Sequence, residues 1–592
     1  MTPPIKALLA GLCLLSLPVA AQPAAEAVLR NEFTLQGVTA RQPIRLGGGY
    51  DWDWRGPRND PEWSWFFNRH GWFPSLLEAY QKTGDARYMQ SLLDTLDDWI
   101  VAHPAPGRIT FSAAWRPLEA ARRLVDSWLV VMPAAAHSPL FTPERRERYR
   151  TSLAAHGEHL RRHHAFGGNH LVTEMLALVQ LALAEPDLPG ASEWLAYGLD
   201  QLALAYENQV YPDGAHKELS AHYQRVIALN YQRLLVLLES AGRHELADAW
   251  RPRARLLWSY FIAIMRPDGG NPLNNDSDQE NILGLLQQSA PELAALPDTT
   301  RWLPYAGQAV FRSGRGAGAW WAFFDTGPRG TDHDHADRLH FSLSLGTLPF
   351  LVDNGRYTYR PGAWRDYFAG PAGHNVLLLN GAGSDQGPRA VRAADSLGRF
   401  FSRENFEAAY GDATFTAGAN PRAADWRRIV IHVRDHGWIV IDRLIAFQPV
   451  ALTTLWHWHP VCETLPANDS STQLIRNDTA TLRMQVASSA PGGTWRNALG
   501  DTEPVQGWHS DRFNFKTPAP CTLYTQHTAR PVTNIWLFAA DTKRPSPDRL
   551  TATFNDNGTL TLRARFAEDV ITLTIDPEKP ESASLMPDLR SR

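Results

Sequence analysis

The order of apolar and polar positions divides the chain into a helical half and a strand half. Residues from about 60 to 285 carry apolar side chains at helical spacing. The run Leu171-Val172-Thr173-Glu174-Met175-Leu176-Ala177-Leu178-Val179-Gln180-Leu181 is apolar almost all round, as a buried helix would be. Residues 194–210, 219–241 and 244–266 repeat the helical pattern, and Gly/Pro/Asp clusters at 186–190, 212–214 and 267–270 separate the helices. Connections this short predict antiparallel neighbours, and helix pairs recurring about every 50 residues predict a toroid or bundle of helical hairpins. From about residue 305 the period changes. Residues 318–325 are aromatic and extended in character, while 339–345 and 428–433 alternate. Asp435-His436-Gly437 turns into Trp438-Ile439-Val440-Ile441, and Asn557-Gly558 between two alternating runs predicts a hairpin. Helices followed by strands predict an α+β chain with separate layers, helical over 22–304 and antiparallel β over 305–592. The joining residues 268–304 are rich in Asn, Asp, Pro and Gly, and 282–286 keep a helical pattern within them.

Composition narrows the classes. At 592 residues, with 44% hydrophobic and 20% charged side chains, the chain has material for several cores, and wholesale disorder is excluded. A formal charge of −4 gives no support to nucleic-acid binding. Residues 1–21 read as a secretory signal peptide: Lys6 supplies the positive start, residues 8–17 the apolar run, and Val19-Ala20-Ala21 the small residues of a cleavage site. The expected setting is periplasmic or secreted. That apolar run is too short to span a membrane, and no other stretch approaches the required length. Cleavage removes Cys13, leaving Cys462 and Cys521 either as one disulfide or as two buried thiols. The oligomeric state is left open.

Four clusters could carry chemistry. Phe166-Gly167-Gly168-Asn169-His170 heads the buried helix, where backbone donors favour an anion, although Asn169 as a simple helix cap is the plainer reading. Asp213-Gly214-Ala215-His216-Lys217-Glu218-Leu219-Ser220-Ala221-His222-Tyr223 leads into a helix with Tyr223 in its first turn. His333-Asp334-His335-Ala336-Asp337 precedes a strand, and histidines at i and i+2 share one face of an extended segment. With Asp353 and His374, two imidazoles and a carboxylate could bind zinc and leave one position open; polar loop decoration is the alternative. Finally, Trp52, Trp54, Trp63, Trp65, Phe66, Phe67, Trp72 and Phe73, then Trp115-Arg116-Pro117-Leu118-Glu119, offer faces for sugar stacking, though helix interfaces account for most such rings.

Taken in order, these segments resemble the heparinase II/III-like polysaccharide lyases. Asp60-Pro61-Glu62-Trp63, Asn68-Arg69-His70, Gly84-Asp85 and the 115–122 segment come first. Asn169-His170, the 218–223 segment, Asn275-Asp276-Ser277-Asp278, His333 to Asp337, Val352-Asp353-Asn354-Gly355 and His374-Asn375-Val376 follow. The resemblance implies an incomplete (α/α) toroid followed by antiparallel β-sandwich sheets. It implies β-elimination on an acidic, uronate-containing polysaccharide. Asn169 and His170 would bind the uronate carboxylate, and Tyr223 would be the acid and also a candidate base. His333 would be the second candidate base or a further neutraliser, with Tyr357 assisting. Trp115, Arg116, Glu119 and Glu218 would contact substrate. His335, Asp353 and His374 would hold a structural divalent metal, zinc first, and no organic cofactor is implied. Two departures bear on substrate preference: Gln224 follows Tyr223 where the family commonly has histidine, and Gly167-Gly168 replaces a frequent asparagine.

The early Asp60-Pro61-Glu62-Trp63 segment is similar to the heparan-sulfate-cleaving branch, which puts a heparan-sulfate-like glycosaminoglycan first, alginate second and a bacterial exopolysaccharide third. Two rivals remain. A toroid-fold glycoside hydrolase needs two carboxylic acids, for which Asp213 and Glu218 are the candidates. A non-catalytic glycan-binding protein needs the tryptophans but neither Tyr223 nor His333.

Overall fold

The computed structural model describes residues 21–106, 112–315, 318–389, 398–417, 420–465, 470–490, 492–540, 550–566 and 569–587. The signal peptide expected over residues 1–21 lies, but for Ala21, outside them. The chain forms two compact units, Met1–Val210 with Arg225–Leu257, and Tyr211–Gln224 with Trp258–Arg592. No helix among the described residues is long and apolar enough to cross a membrane.

The first unit is helical, and its helices start where polar caps stop the backbone N–H groups from being orphaned. Asp60, Asp85 and Thr142 each accept a bond from the first turn of the helices Pro61–Phe67, Ala86–Ala102 and Pro143–His163. Gly84, at φ 71°, ends Phe73–Thr83 in the left-handed conformation a glycine takes freely. The expected runs appear as Gly168–Ala184, Ala191–Gln209, Ala221–Ser240 and His244–Ile264. Gly168–Ala184 is buried nearly all round, so its apolar circumference meets protein on every side. The early aromatic crowd is core: Phe33, Tyr50, Trp52, Phe67 and Trp72 pack edge-on or tilted, with Phe67 and Trp72 centroids 4.7 Å apart. One feature escaped the pattern, a π-helical turn at Leu124–Trp128 inside the Pro117–Ala135 stretch.

The second unit is built from antiparallel sheets. Five strands run in order from Arg301–Leu303 to Leu348–Leu351. An eight-stranded sheet places Asn420–Val433 beside Gly437–Ala446, joined at Asp435 (φ 62°) as the turn residues predict. Alternation gives this sheet two buried faces. Ile429, Ile431, Ile439 and Ile441 pack toward the C-terminal sheet of Leu550–Pro587, whose first hairpin turns at Asn557-Gly558. Val430, Trp438 and Val440 pack toward the five-stranded sheet and the sheet containing Leu377–Leu379 and Val450–His457. The linker helix expected at 282–286 is Ile282–Ser289, capped by Asn281. Cys462 and Cys521 are buried free thiols, each pushed up to about 12 by burial.

A buried ion pair locks these layers near the candidate site. Arg428 bonds Asp442 through Nε at 2.7 Å, and its Nη1 donates to the carbonyls of Leu339 and Asn375. Trp426 and Trp536 donate their indole N–H groups to the same carboxylate. Arg428→Met leaves that carboxylate buried without its counter-charge. It should cost about 3–5 kcal/mol, read as a lower urea midpoint; an unchanged midpoint would show that the pair does not hold the sheets.

Candidate functional site

Three segments of the second unit converge because each bonds to the backbone of another. Asn274 and Asn275 donate their side-chain amides to the carbonyl of Leu219. Ser220 donates to the carbonyl of Asp276, and the Asp276 amide donates to the carbonyl of His333. Thr331 donates its amide to the Lys217 carbonyl, a close approach that needs Gly330, since a Cβ there would lie 2.6 Å from the Glu218 carbonyl oxygen. Gln224 staples the first segment to itself, accepting the His216 amide at 2.8 Å and donating to the Gly214 carbonyl at 3.0 Å. The glutamine that departs from the family pattern therefore shapes the loop before Tyr223. Leu219, Asn275, His333 and Tyr357 all have φ between 52° and 60°. Left-handed non-glycine residues cost about 1–3 kcal/mol each, and their clustering here fits a site whose geometry is over-determined by its surroundings.

At the centre, the Tyr223 ring stacks on His333, centroids 3.8 Å apart and 16° from parallel. Asp276 fixes the imidazole. Its Oδ2 lies 3.1 Å from His333 Nδ1 and its Oδ1 lies 2.9 Å from His335 Nε2, while Arg365 grips both oxygens. Burial opposes ionisation of Asp276, yet the hydrogen bonds from His333 and His335 and the Arg365 charge hold its carboxyl well below the usual carboxylate range. An ionised carboxylate only accepts, so both bonded nitrogens carry their protons. His333 is thereby left with Nε2 as its lone-pair nitrogen, and His335 with Nδ1 as its own. The i, i+2 spacing is realised as two imidazoles on one carboxylate.

The Tyr223 hydroxyl lies 2.9 Å from the hydroxyl of Tyr359, which accepts a bond from Arg356 Nη1 at 2.8 Å. Arg356 is itself clamped by Asp278 through Nε at 2.8 Å and through Nη2. Burial raises the Tyr223 phenol well above its ordinary value, so Tyr223 is a neutral phenol near neutrality. Tyr359, Arg356, Asp276 and Asp278 were not singled out as site residues from sequence. Tyr357, expected to assist, packs its ring against Phe368 and Trp364 instead, and Tyr359 two residues on takes the place beside Tyr223. The turn at Tyr357 (φ 52°) decides which tyrosine faces the site, and nothing in an Arg-Tyr-Thr-Tyr-Arg run announces it.

His335, Asp353 and His374 are buried together, with ligand atoms all within 4.8 Å of one another. His335 Nδ1 is buried without a hydrogen-bond partner, and His374 Nδ1 lies 3.1 Å from Asp353 Oδ2. An unpartnered buried lone pair beside a nitrogen and a carboxylate fits a divalent ion.

The remaining candidates have distinct surroundings. In the first unit Asn169 is not the helix cap: Gly167 is, and Asn169 lies inside the first turn of Gly168–Ala184 with His170 next to it. Trp115 is 3% exposed and packs on Trp99, His156 and His159, so its ring faces serve the core. Glu119 is fully buried and accepts bonds from Arg69 and Arg116, whose guanidinium lies over the Trp65 ring. In the second unit Glu218 is buried, and Asp213 accepts the amides of Tyr305, Ala306 and Ala215.

Known proteins match both halves of this chain. The profile described as Heparinase II/III N-terminus matches residues 16–302, and Heparinase II/III-like, C-terminal, matches 296–549. A heparin-sulfate lyase of Bacteroides stercoris is 25% identical over 447 residues, 68% of this chain and 65% of that protein. One from Bacteroides thetaiotaomicron is 27% identical over 198 residues, 33% of this chain and 28% of that protein. The matched segments thus span less than two thirds of either relative. A solved heparinase III structure superposes with a TM-score of 0.80 at 17% identity, covering 95% of this chain and 92% of the other, and so shares the fold of toroid plus β-sandwich. With both halves matched in order over nearly the whole sequence, the chain belongs to the heparinase II/III-like family.

Proposed function

We propose that the protein is a polysaccharide lyase that cleaves uronate-containing glycans by β-elimination, with a heparan-sulfate-like glycosaminoglycan as first choice of substrate. The observation that carries this reading is the stacked Tyr223–His333 pair: a neutral phenol beside an imidazole whose Nδ1 proton is committed to Asp276. β-Elimination needs such a pair, one group to take a weakly acidic carbon-bound proton and one to protonate a leaving oxygen. In this reading His333 Nε2 takes the C-5 proton. The C–H electron pair becomes the C4=C5 double bond, the C4–O bond breaks, and Tyr223 gives its proton to O-4. The C-5 proton becomes removable only when the adjacent carboxylate is neutralised, a task assigned to Asn169 and His170. The names of the two lyase relatives support the substrate class.

His335, Asp353 and His374 would hold a divalent ion, zinc by preference, in a structural role. Such an ion would cross-link the 333–337 loop to the 353–359 and 374–376 segments. It would also fix the far end of the Asp276 hydrogen-bond pair, since His335 and His333 share that carboxylate.

A panel of purified uronate polymers, read by the absorbance of the unsaturated product, tests the substrate assignment. Heparan sulfate should give the highest initial rate, and a faster rate on alginate would transfer the assignment. Asn169→Ala and His170→Ala should each lower turnover roughly 10²–10³-fold, the range for one lost donor to a developing charge. If both variants keep wild-type rates on carboxylated polymers, the pair only shapes the helix start.

A further inference from the structure

We propose that Asp278, Arg356 and Tyr359 form a relay that supports the Tyr223 oxygen whenever it gives up its proton; this rests on the lyase reading of the site. The geometry leaves little freedom. Asp278 holds Arg356 through Nε and Nη2, which fixes the plane of the guanidinium and aims Nη1 at Tyr359. A guanidinium only donates, so the Tyr359 oxygen must accept from it and keeps its own proton for another partner. Among the described residues two candidates lie near. His333 Nδ1 is 3.4 Å away and already donates to Asp276, so it has no lone pair to offer. Tyr223 Oη, at 2.9 Å, is the remaining acceptor. The Tyr359 proton therefore points at the Tyr223 oxygen, and the Tyr223 proton is directed elsewhere, free for a leaving oxygen.

When Tyr223 releases that proton, the electron pair stays on its oxygen. That oxygen is met at once by the Tyr359 hydroxyl, whose own oxygen rests on a cation. No reorganisation is needed, which is the condition under which hydrogen bonds to a developing charge are most effective. The charged and titratable groups facing the two phenols are few. Tyr223 meets His222 (itself bonded to Glu280), His333, Tyr359 and, at longer range, Arg356 and Asp276. Tyr359 meets Arg356, Arg365, His333 and Tyr223, with Phe513 covering its ring. Arg356 bears on both and is buried. Burial raises both phenols, Tyr359 to about 12 and Tyr223 well above its ordinary value.

The relay also explains the spacing Asp276-Ser277-Asp278. Alternate residues of one short segment serve the two halves of the machinery: Asp276 fixes the imidazole, and Asp278 supports the phenol through Arg356.

Tyr359→Phe removes one hydroxyl and keeps the ring against Phe513. The test measures kcat, KM and the pH profile of wild type and Tyr359→Phe. It also follows Tyr223 ionisation by tyrosinate absorbance, each protein being compared with the same protein carrying Tyr223→Phe. The relay predicts that kcat falls about 10–100-fold, as for other partners that orient an active group, while KM stays within about twofold. The alkaline limb and the tyrosinate onset should both move to higher pH by on the order of one unit. An onset that stays in place overturns the relay, whether kcat is unchanged or falls, because a fall without a shift assigns Tyr359 to packing. If wild type forms no unsaturated product, the lyase reading fails by itself, while the tyrosinate titration still decides whether Arg356 and Tyr359 stabilise the Tyr223 oxygen.

Discussion

Tyr223→Phe is expected to lower turnover about 10²–10⁴-fold, the range for loss of a positioned acid–base group, with little change in folding. The reason lies in what the hydroxyl touches. Its hydrogen-bond partner is Tyr359, which keeps its bond from Arg356 when the Tyr223 oxygen is gone and loses only the acceptor of its own proton. The phenylalanine ring can still stack on His333, so the pocket keeps its shape. One hydrogen bond of this kind contributes roughly 1 kcal/mol to stability, which a melting experiment separates from a loss of several powers of ten in rate. Initial rates on the same polymer, with melting curves of both proteins, make the comparison. A variant retaining more than half the wild-type rate would remove Tyr223 from the proton-transfer step.

The second large effect concerns the buried triad. His335→Ala should lower metal content and thermal stability together, because an ion bound only by the folded state stabilises that state. At a free-metal concentration of about 100 times the dissociation constant the contribution is about 2.7 kcal/mol, all of it lost if binding is lost. Activity should fall as well. His335 shares Asp276 with His333, so removing it takes one donor from the carboxylate that sets the His333 tautomer. Elemental analysis of wild-type protein purified without chelator is the direct check. Less than about a tenth of an equivalent of any divalent metal would show that these three side chains are held by hydrogen bonds alone, since structural sites of this kind bind tightly.

Much of the fold was legible because local rules dominate there. Periodicity located the long helices to within a few residues, and Asp85 and Gly84 mark a helix start and stop by their capping chemistry. Asp435 and Asn557-Gly558 turned where such residues turn most easily. The histidine spacing also carried real information, since His333 and His335 do share one partner. What stayed hidden depends on contacts far apart in sequence. Asp276 and Asp278 acquire their roles from residues 57 to 89 positions away. Tyr359 is distinguished from Tyr357 only by a left-handed turn that sterics disfavour and the surrounding structure imposes. The tryptophan-rich segments offered faces for sugar stacking beside the plainer reading of helix interfaces, and burial, which composition cannot express, assigns Trp52 and Trp115 to the core. Asn169 was the opposite case: the helix start falls at Gly167 and Gly168, which frees Asn169 from the capping role its position suggested.

The most direct test of the central claim is a paired assay on heparan sulfate with purified wild-type protein, following absorbance of the conjugated double bond alongside the release of new reducing ends. β-Elimination predicts that the two rise together, one double bond for each chain break. New reducing ends without the absorbance would mean hydrolysis, and neither signal on any uronate polymer, with the glycan still bound, would mean a binding protein.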